Sequence, residues 1–107
     1  MSVALKFKKL DKRFKGSNHF TYYLEIYLLR SWGANATDNL ELVKKFNEIR
    51  NWCIKNWETS TELDDYMMLN LELFSFNEYW SWSVEKYARR IYFKTDKEKM
   101  WAELTWM

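Results

Sequence analysis

Four carboxylates, Glu58, Glu62, Asp64 and Asp65, fall within eight residues and are the first place to look for a metal or nuclease centre. A bound cation needs ligands converging from more than one element, and a calcium loop needs a glycine at its sharp turn. These four are local and no glycine stands among them, which is the pattern of a solvated acidic loop. His19 is the only histidine. A general base needs a partner that positions it, and Ser17, two residues away, has none of the spacing of a triad. Cys53 sits at helical spacing from Ile49 and Trp57 and reads as a small core residue with an inert thiol. Gly16 and Gly33 are the only glycines, too few for a loop that cradles phosphates. The sequence thus offers no catalytic, cofactor-binding or metal-ligating residues, and the expectation is a non-enzymatic protein without a cofactor.

Aromatic residues carry more information. Phe, Tyr and Trp each occur seven times in 107 residues. Each ring buries roughly 150–250 Å², so the set exceeds what one small core holds. Seven indoles cannot all hide while every N–H finds an acceptor, and rings left outside ask for a partner. The expected exposed patch is Tyr79, Trp80 or Trp82, and Trp106, rimmed by Glu72, Glu78 and Glu85. Aromatic centres with charged rims are how protein interfaces are built. The expected partner is another protein; a homodimer through the same patch satisfies the rings equally well.

Basic residues interleaved with rings give a second reading. Lys6, Lys8, Lys12 and Arg13 precede a strand that carries Tyr23 and Tyr27. Tyrosines on an open sheet face stack bases while lysines hold phosphates, so single-stranded nucleic acid is the alternative ligand. The basic–Gly–aromatic pattern of RNA-recognition domains is missing. A third reading is a small-molecule or nucleotide pocket between sheet and helices.

Charge is unevenly spread although the net is only +2. Residues 1–16 hold six Lys or Arg against Asp11, a net +5, whereas residues 58–85 hold seven acids and no base. Such segments neutralise each other within a fold or present a dipolar surface to a partner.

The elements that must position these residues follow from periodicity. Val3, Leu5 and Phe7 alternate with polar neighbours, the period of a strand. Lys15 to Asn18 makes a turn, and Phe20 to Leu29 alternates again, so the two form an antiparallel hairpin. Asp38 with Glu41 forms a capping box. Leu42, Phe46, Ile49, Cys53 and Trp57 then mark the buried stripe of an amphipathic helix of about five turns. Strands are expected over 67–76, from Trp80 to Val84 and from Arg90 to Lys94, with a turn at Asn77-Glu78. The parity change before Ile91 calls for a bulge near Tyr87-Ala88-Arg89. Thr95 and Glu98 form a second capping box, opening a short helix that turns Met100, Trp101 and Leu104 inward. The fold class is α+β: one domain over 1–107, a single antiparallel sheet with two helices on one face, with a ferredoxin-like arrangement as its nearest named variant.

The stretch Arg90-Ile91-Tyr92-Phe93-Lys94 leads into the capped helix from Thr95 to Trp106. In that unit, and in its short, Pro-free, Lys-, Asn- and Trp-rich composition, the chain resembles small accessory proteins of bacteriophages. The resemblance implies a protein that binds and redirects or inhibits a host macromolecule; it carries over no site residues. The lone cysteine and the absence of an apolar leader in this sequence lead to a cytoplasmic expectation, with no membrane partner.

Overall fold

Leu24, Ile26 and Leu28 alternate with Tyr23, Glu25 and Tyr27, and the alternation becomes one of the two inner strands of a four-stranded antiparallel sheet. The computed structural model describes residues 3–10, 20–29, 36–60, 62–63, 77, 79–84 and 88–107, with side chains from residue 39 onward in the first helix. The elements are β1 (Val3–Lys9), β2 (Tyr22–Leu28), α1 (Ala36–Trp57), β3 (Trp80–Val84), β4 (Ala88–Phe93) and α2 (Asp96–Trp106). The strand order is β1-β2-β4-β3. A ferredoxin-like chain runs β-α-β-β-α-β. The described elements run β-β-α-β-β-α with β1 paired directly to β2, so the ferredoxin-like variant gives way to two hairpins, each followed by a helix.

Pairing β1 with β2 and β2 with β4 places Phe7, Leu24, Ile91 and Trp82 in one row across the sheet. This face is the apolar one, and both helices cover it. Leu42, Phe46, Ile49, Cys53 and Trp57 of α1, and Ala102 of α2, join Leu24, Ile26, Ile91, Phe93 and Trp80 in the core. The stripe expected from spacing is thus the stripe that is buried. Burial also pushes the Cys53 thiol up from its ordinary value, since the thiolate loses its hydration there.

The opposite face is not simply wet. Leu10, Phe20, Leu63 and Tyr92 form a second, smaller cluster on it, with Tyr23 against them. That cluster buries Ser81 and Ser83, and the Ser83 hydroxyl lies 3.0 Å from the Tyr92 hydroxyl. In the next row, Lys6, Glu25 and Arg90 are neighbours across three strands. Arg90 reaches Glu25 at 3.5 Å and its guanidinium lies 4.8 Å from the Tyr23 ring. Burial works against that charge, but the Tyr92 hydroxyl and the Glu25 carboxylate outweigh it and hold the Arg90 pKa above its usual value.

Three local expectations are corrected. The pairing from Trp80↔Phe93 to Val84↔Arg89 is unbroken, so no bulge occupies Ala88-Arg89. The parity change is that of a hairpin, in which an even-numbered position faces an odd-numbered one. Helix α1 begins at Ala36, so Asp38 lies inside its first turn and is not its cap. Thr95 does stand at the N-cap of α2, but its side chain makes no cap bond to the backbone; its hydroxyl donates to the Glu98 carboxylate. Glu98 is buried, and a buried carboxylate without a donor is costly, so the hydroxyl serves it first. The turn at 15–18, the strand at 67–76, Glu78 and Tyr87 lie outside the described residues, as do His19, Asp64 and Asp65. Among the described residues no helix is long and apolar enough to cross a membrane.

Candidate interaction surface

Helix α2 carries more apolar residues than one face can hold. Glu98, Ala102 and Trp106 recur every fourth position, while Met100, Leu104 and Met107 recur at the i, i+4, i+7 spacing of a second stripe. Only one stripe can meet the sheet. Ala102 is fully buried, Glu98 is nearly so, and Trp106 is half-buried. The other stripe points away: Met100 is 52%, Trp101 46%, Leu104 83% and Met107 73% exposed. The expectation that Met100, Trp101 and Leu104 face the core is therefore reversed. Both stripes are visible in the spacing; the one that meets the sheet is the one carrying the fully buried Ala102.

Behind the outer stripe the indoles form a rigid support. Trp52 of α1 meets Trp57, Trp101 and Trp106 edge-on, with ring centres 5.1, 5.9 and 6.2 Å apart. Trp57 also meets Trp101 at 5.7 Å and Phe93 at 6.0 Å. Edge-to-face contacts of this kind add to simple area burial. They fix the Trp101 ring while leaving almost half of it open. Along the flank, Lys99 lies 2.7 Å from Glu103 and 3.9 Å from Asp96. The bond to Glu103 raises the Lys99 pKa, against a small opposing effect of burial.

The residues expected in the aromatic patch are dispersed. Tyr79 is exposed and shares a 220 Å³ hollow with Trp101, Trp57, Asn56, Lys97 and Glu98. Trp80 does not belong to the surface: it is fully buried, and its indole N–H donates to the Glu58 carbonyl at 2.8 Å. It lies under the C-terminal end of α1, two residues along the strand from Trp82 and on the same face. Trp82 is half-buried, with its ring 5.6 Å from Phe46 and the Arg50 guanidinium 5.2 Å above it. Trp106 is half-buried at the far end of α2, with Lys45 5.1 Å over its ring. Glu72, Glu78 and Glu85, the expected acidic rim, lie outside the described residues.

The alternative nucleic-acid set is partly assembled. Lys6 and Lys8 are exposed on the sheet face that also carries Tyr23 and Tyr27, and Lys8 pairs with Tyr23. Glu25 stands between the two tyrosines, and Arg90 lies over Tyr23. Lys12 and Arg13 lie outside the described residues. A groove of about 570 Å³ opens between β1, the flank of α1 and the end of α2, lined by Val3, Leu5, Lys44, Lys45, Trp106 and Met107 among others. It sits where a pocket between sheet and helices was expected. Among the described residues no three metal-ligating side chains come together. No protein-family model matches the sequence, and no curated protein and no solved structure is a significant match to it.

Proposed function

We propose that this chain is a non-enzymatic binding protein that lays the outer face of α2 into an apolar groove on another protein. One observation carries the reading: Met100, Trp101, Leu104 and Met107 form an exposed apolar stripe on a helix whose opposite side is already packed. Helix-in-groove recognition uses such i, i+4, i+7 anchors. Trp101 is the natural centre of the contact, because a ring held by Trp52 and Trp57 loses little freedom on binding. Asp96, Lys97, Lys99 and Glu103 supply a polar rim of mixed sign. A phage-type modulator of a host protein is the narrower form of this reading, and it rests on the resemblance alone.

Replacing Met100 and Leu104 together by glutamate tests it. Both side chains face outward, 52% and 83% exposed, and neither belongs to the indole cluster, so the melting temperature should hold, while a protein retained by the immobilised wild type should be lost. Retention of the same protein by both forms would sink the reading.

A second reading rests on Lys6, Lys8, Tyr23 and Tyr27 sharing one sheet face. Binding of single-stranded DNA or RNA there should fall steeply with salt as counterions are released. No binding at low salt eliminates it.

A further inference from the structure

The geometry points to β1 as an acceptor for an extended segment of another protein, one that alternates acidic and apolar residues and adds to the sheet as a fifth strand. This goes beyond docking by α2 and shares only Met107 with it.

Backbone directions come first. The Leu10 N–H donates to the Thr21 carbonyl at 2.7 Å, so position 10 points toward β2. Antiparallel pairing alternates these directions along a strand. Lys8, Lys6 and Ala4 therefore also point toward β2, and Lys9, Phe7, Leu5 and Val3 point away from it. The far side of the sheet gives the same answer. The Lys94 N–H donates to the Tyr79 carbonyl at 3.0 Å, which turns Phe93 toward β2 and its partner Tyr22 toward β4. Tyr23 then turns toward β1, opposite Lys8. Strand β1 is the edge of the sheet, and among the described residues its four outward positions have no backbone partner.

Side chains then choose the guest. An added strand would send alternate residues to either face. On the helix side they meet a groove lined by Val3, Leu5, Trp106 and Met107, which suit apolar groups, with two glutamates and two lysines of α1 beside them. The Trp106 indole N–H is buried there with no acceptor among the described residues. On the other side they meet Lys6 and Lys8, both exposed. Lys8 depresses the Lys6 pKa below its ordinary value, by hydrogen bonding and by like-charge repulsion. Acidic side chains relieve that repulsion. A second copy of β1 would worsen it, since like charges facing across strands destabilise a pair. The occupant is therefore an acidic strand of a different protein. Main-chain bonds would hold it, and the lysines and groove would select it.

The test uses the whole chain, nitrogen-labelled, with two capped peptides: one alternating glutamate and valine, the other lysine and valine. The glutamate peptide should shift the amide signals of Val3, Leu5, Phe7 and Lys9 and slow their exchange with solvent. It should also move the Trp106 indole signal and bind about tenfold or more tightly than the lysine peptide. Lys6→Glu with Lys8→Glu should reverse the preference, and Met100→Glu with Leu104→Glu should leave it intact. Equal binding of both peptides, shifts elsewhere, no binding, or the same shifts on concentrating the protein alone would each overturn the proposal.

Discussion

The two edges of the sheet are treated differently. At β3 the chain folds back on its own edge. The Leu63 N–H donates to the Trp82 carbonyl at 2.7 Å, Glu62 bridges to Trp82, and the Ser60 hydroxyl donates to the Trp80 carbonyl at 2.8 Å. Asn77 ties this cover to the end of α1. Its amide N–H groups donate to the carbonyls of Trp57 and Thr59 at 2.6 and 3.1 Å. Its amide oxygen accepts from the N–H groups of Tyr79 and Trp80 at 2.8 and 3.3 Å. At β1 no described residue plays such a part, and exposed lysines stand where β3 has a cover. Open edges invite other strands, and proteins either cover them or charge them. This sheet does one on each side. A covered edge contributes to stability, whereas a charged edge costs little and remains available to a partner of opposite charge.

That contrast is broken most severely at Trp80. Its ring fills the core beneath the end of α1, and its N–H holds the Glu58 carbonyl. Trp80→Ala should cost about 3–5 kcal/mol, the range for a buried aromatic, measured by denaturant unfolding. A loss of under 1 kcal/mol would mean that the covered edge is not a source of stability. Asn77→Ala removes four hydrogen bonds without opening the core. Because some of the freed groups reach water, the expected cost is about 2 kcal/mol. Trp80→Ala keeps the backbone N–H that donates to Asn77 and removes only the indole, so a non-additive double mutant would report coupling through the end of α1, which both residues hold.

The open edge yields a sharper comparison, because one residue's shift changes the answer. The Lys8 N–H points to β2, and proline there removes a ladder bond and leaves the Tyr23 carbonyl without its donor. The expected loss is about 2 kcal/mol. The Lys9 N–H points outward, and proline is tolerated on the free side of an edge strand. Lys9→Pro should fall within about 0.5 kcal/mol of wild type. Equal losses at the two positions would mean that the edge of β1 is already paired.

Much of this architecture was legible in the sequence, and the parts that were not share a cause. The periods of β1, β2 and α1 are local, and the residues they marked lie on the core face: buried at Leu24, Ile26, Leu28 and along the α1 stripe, half-buried at Val3, Leu5 and Phe7. The hairpin of β3 and β4 is visible as two runs, although its parity alone looks like that of a bulge. The covered edge was hidden because its bonds join positions some twenty residues apart. Only the turn preference of Asn77 hinted at it. Trp80 and Trp82 have the same parity and the same neighbours in sequence. Both meet α1, Trp82 through Phe46 and Arg50, and which one is wholly enclosed depends on where the helix ends above the sheet; no local pattern carries that. The surface of α2 was hidden for a different reason. Two apolar stripes compete on one short helix, and the buried one carries Ala102 while the more hydrophobic Leu104 stays exposed, an outcome that helical spacing alone does not decide.

The smallest effect concerns how α1 hands the chain to the covered edge. Glu58 has a φ of 69°, in the left-handed region, and its N–H donates to the Ile54 carbonyl at 2.9 Å. This is the αL closure of a helix, a position that usually belongs to glycine. A side chain there costs roughly 1–2 kcal/mol. Glycine removes that cost, but it gives back about 0.5–1 kcal/mol through the greater freedom of the unfolded chain. Glu58 is exposed and contributes its carbonyl, not its carboxylate, to Trp80, so Glu58→Gly sacrifices no described contact. The net expectation is a gain of about 0.5 kcal/mol, read as a higher denaturation midpoint at unchanged slope. A loss instead would show that the stiffness of Glu58 is what aims the following residues along β3, and that the cover on that edge depends on the turn as much as on Asn77.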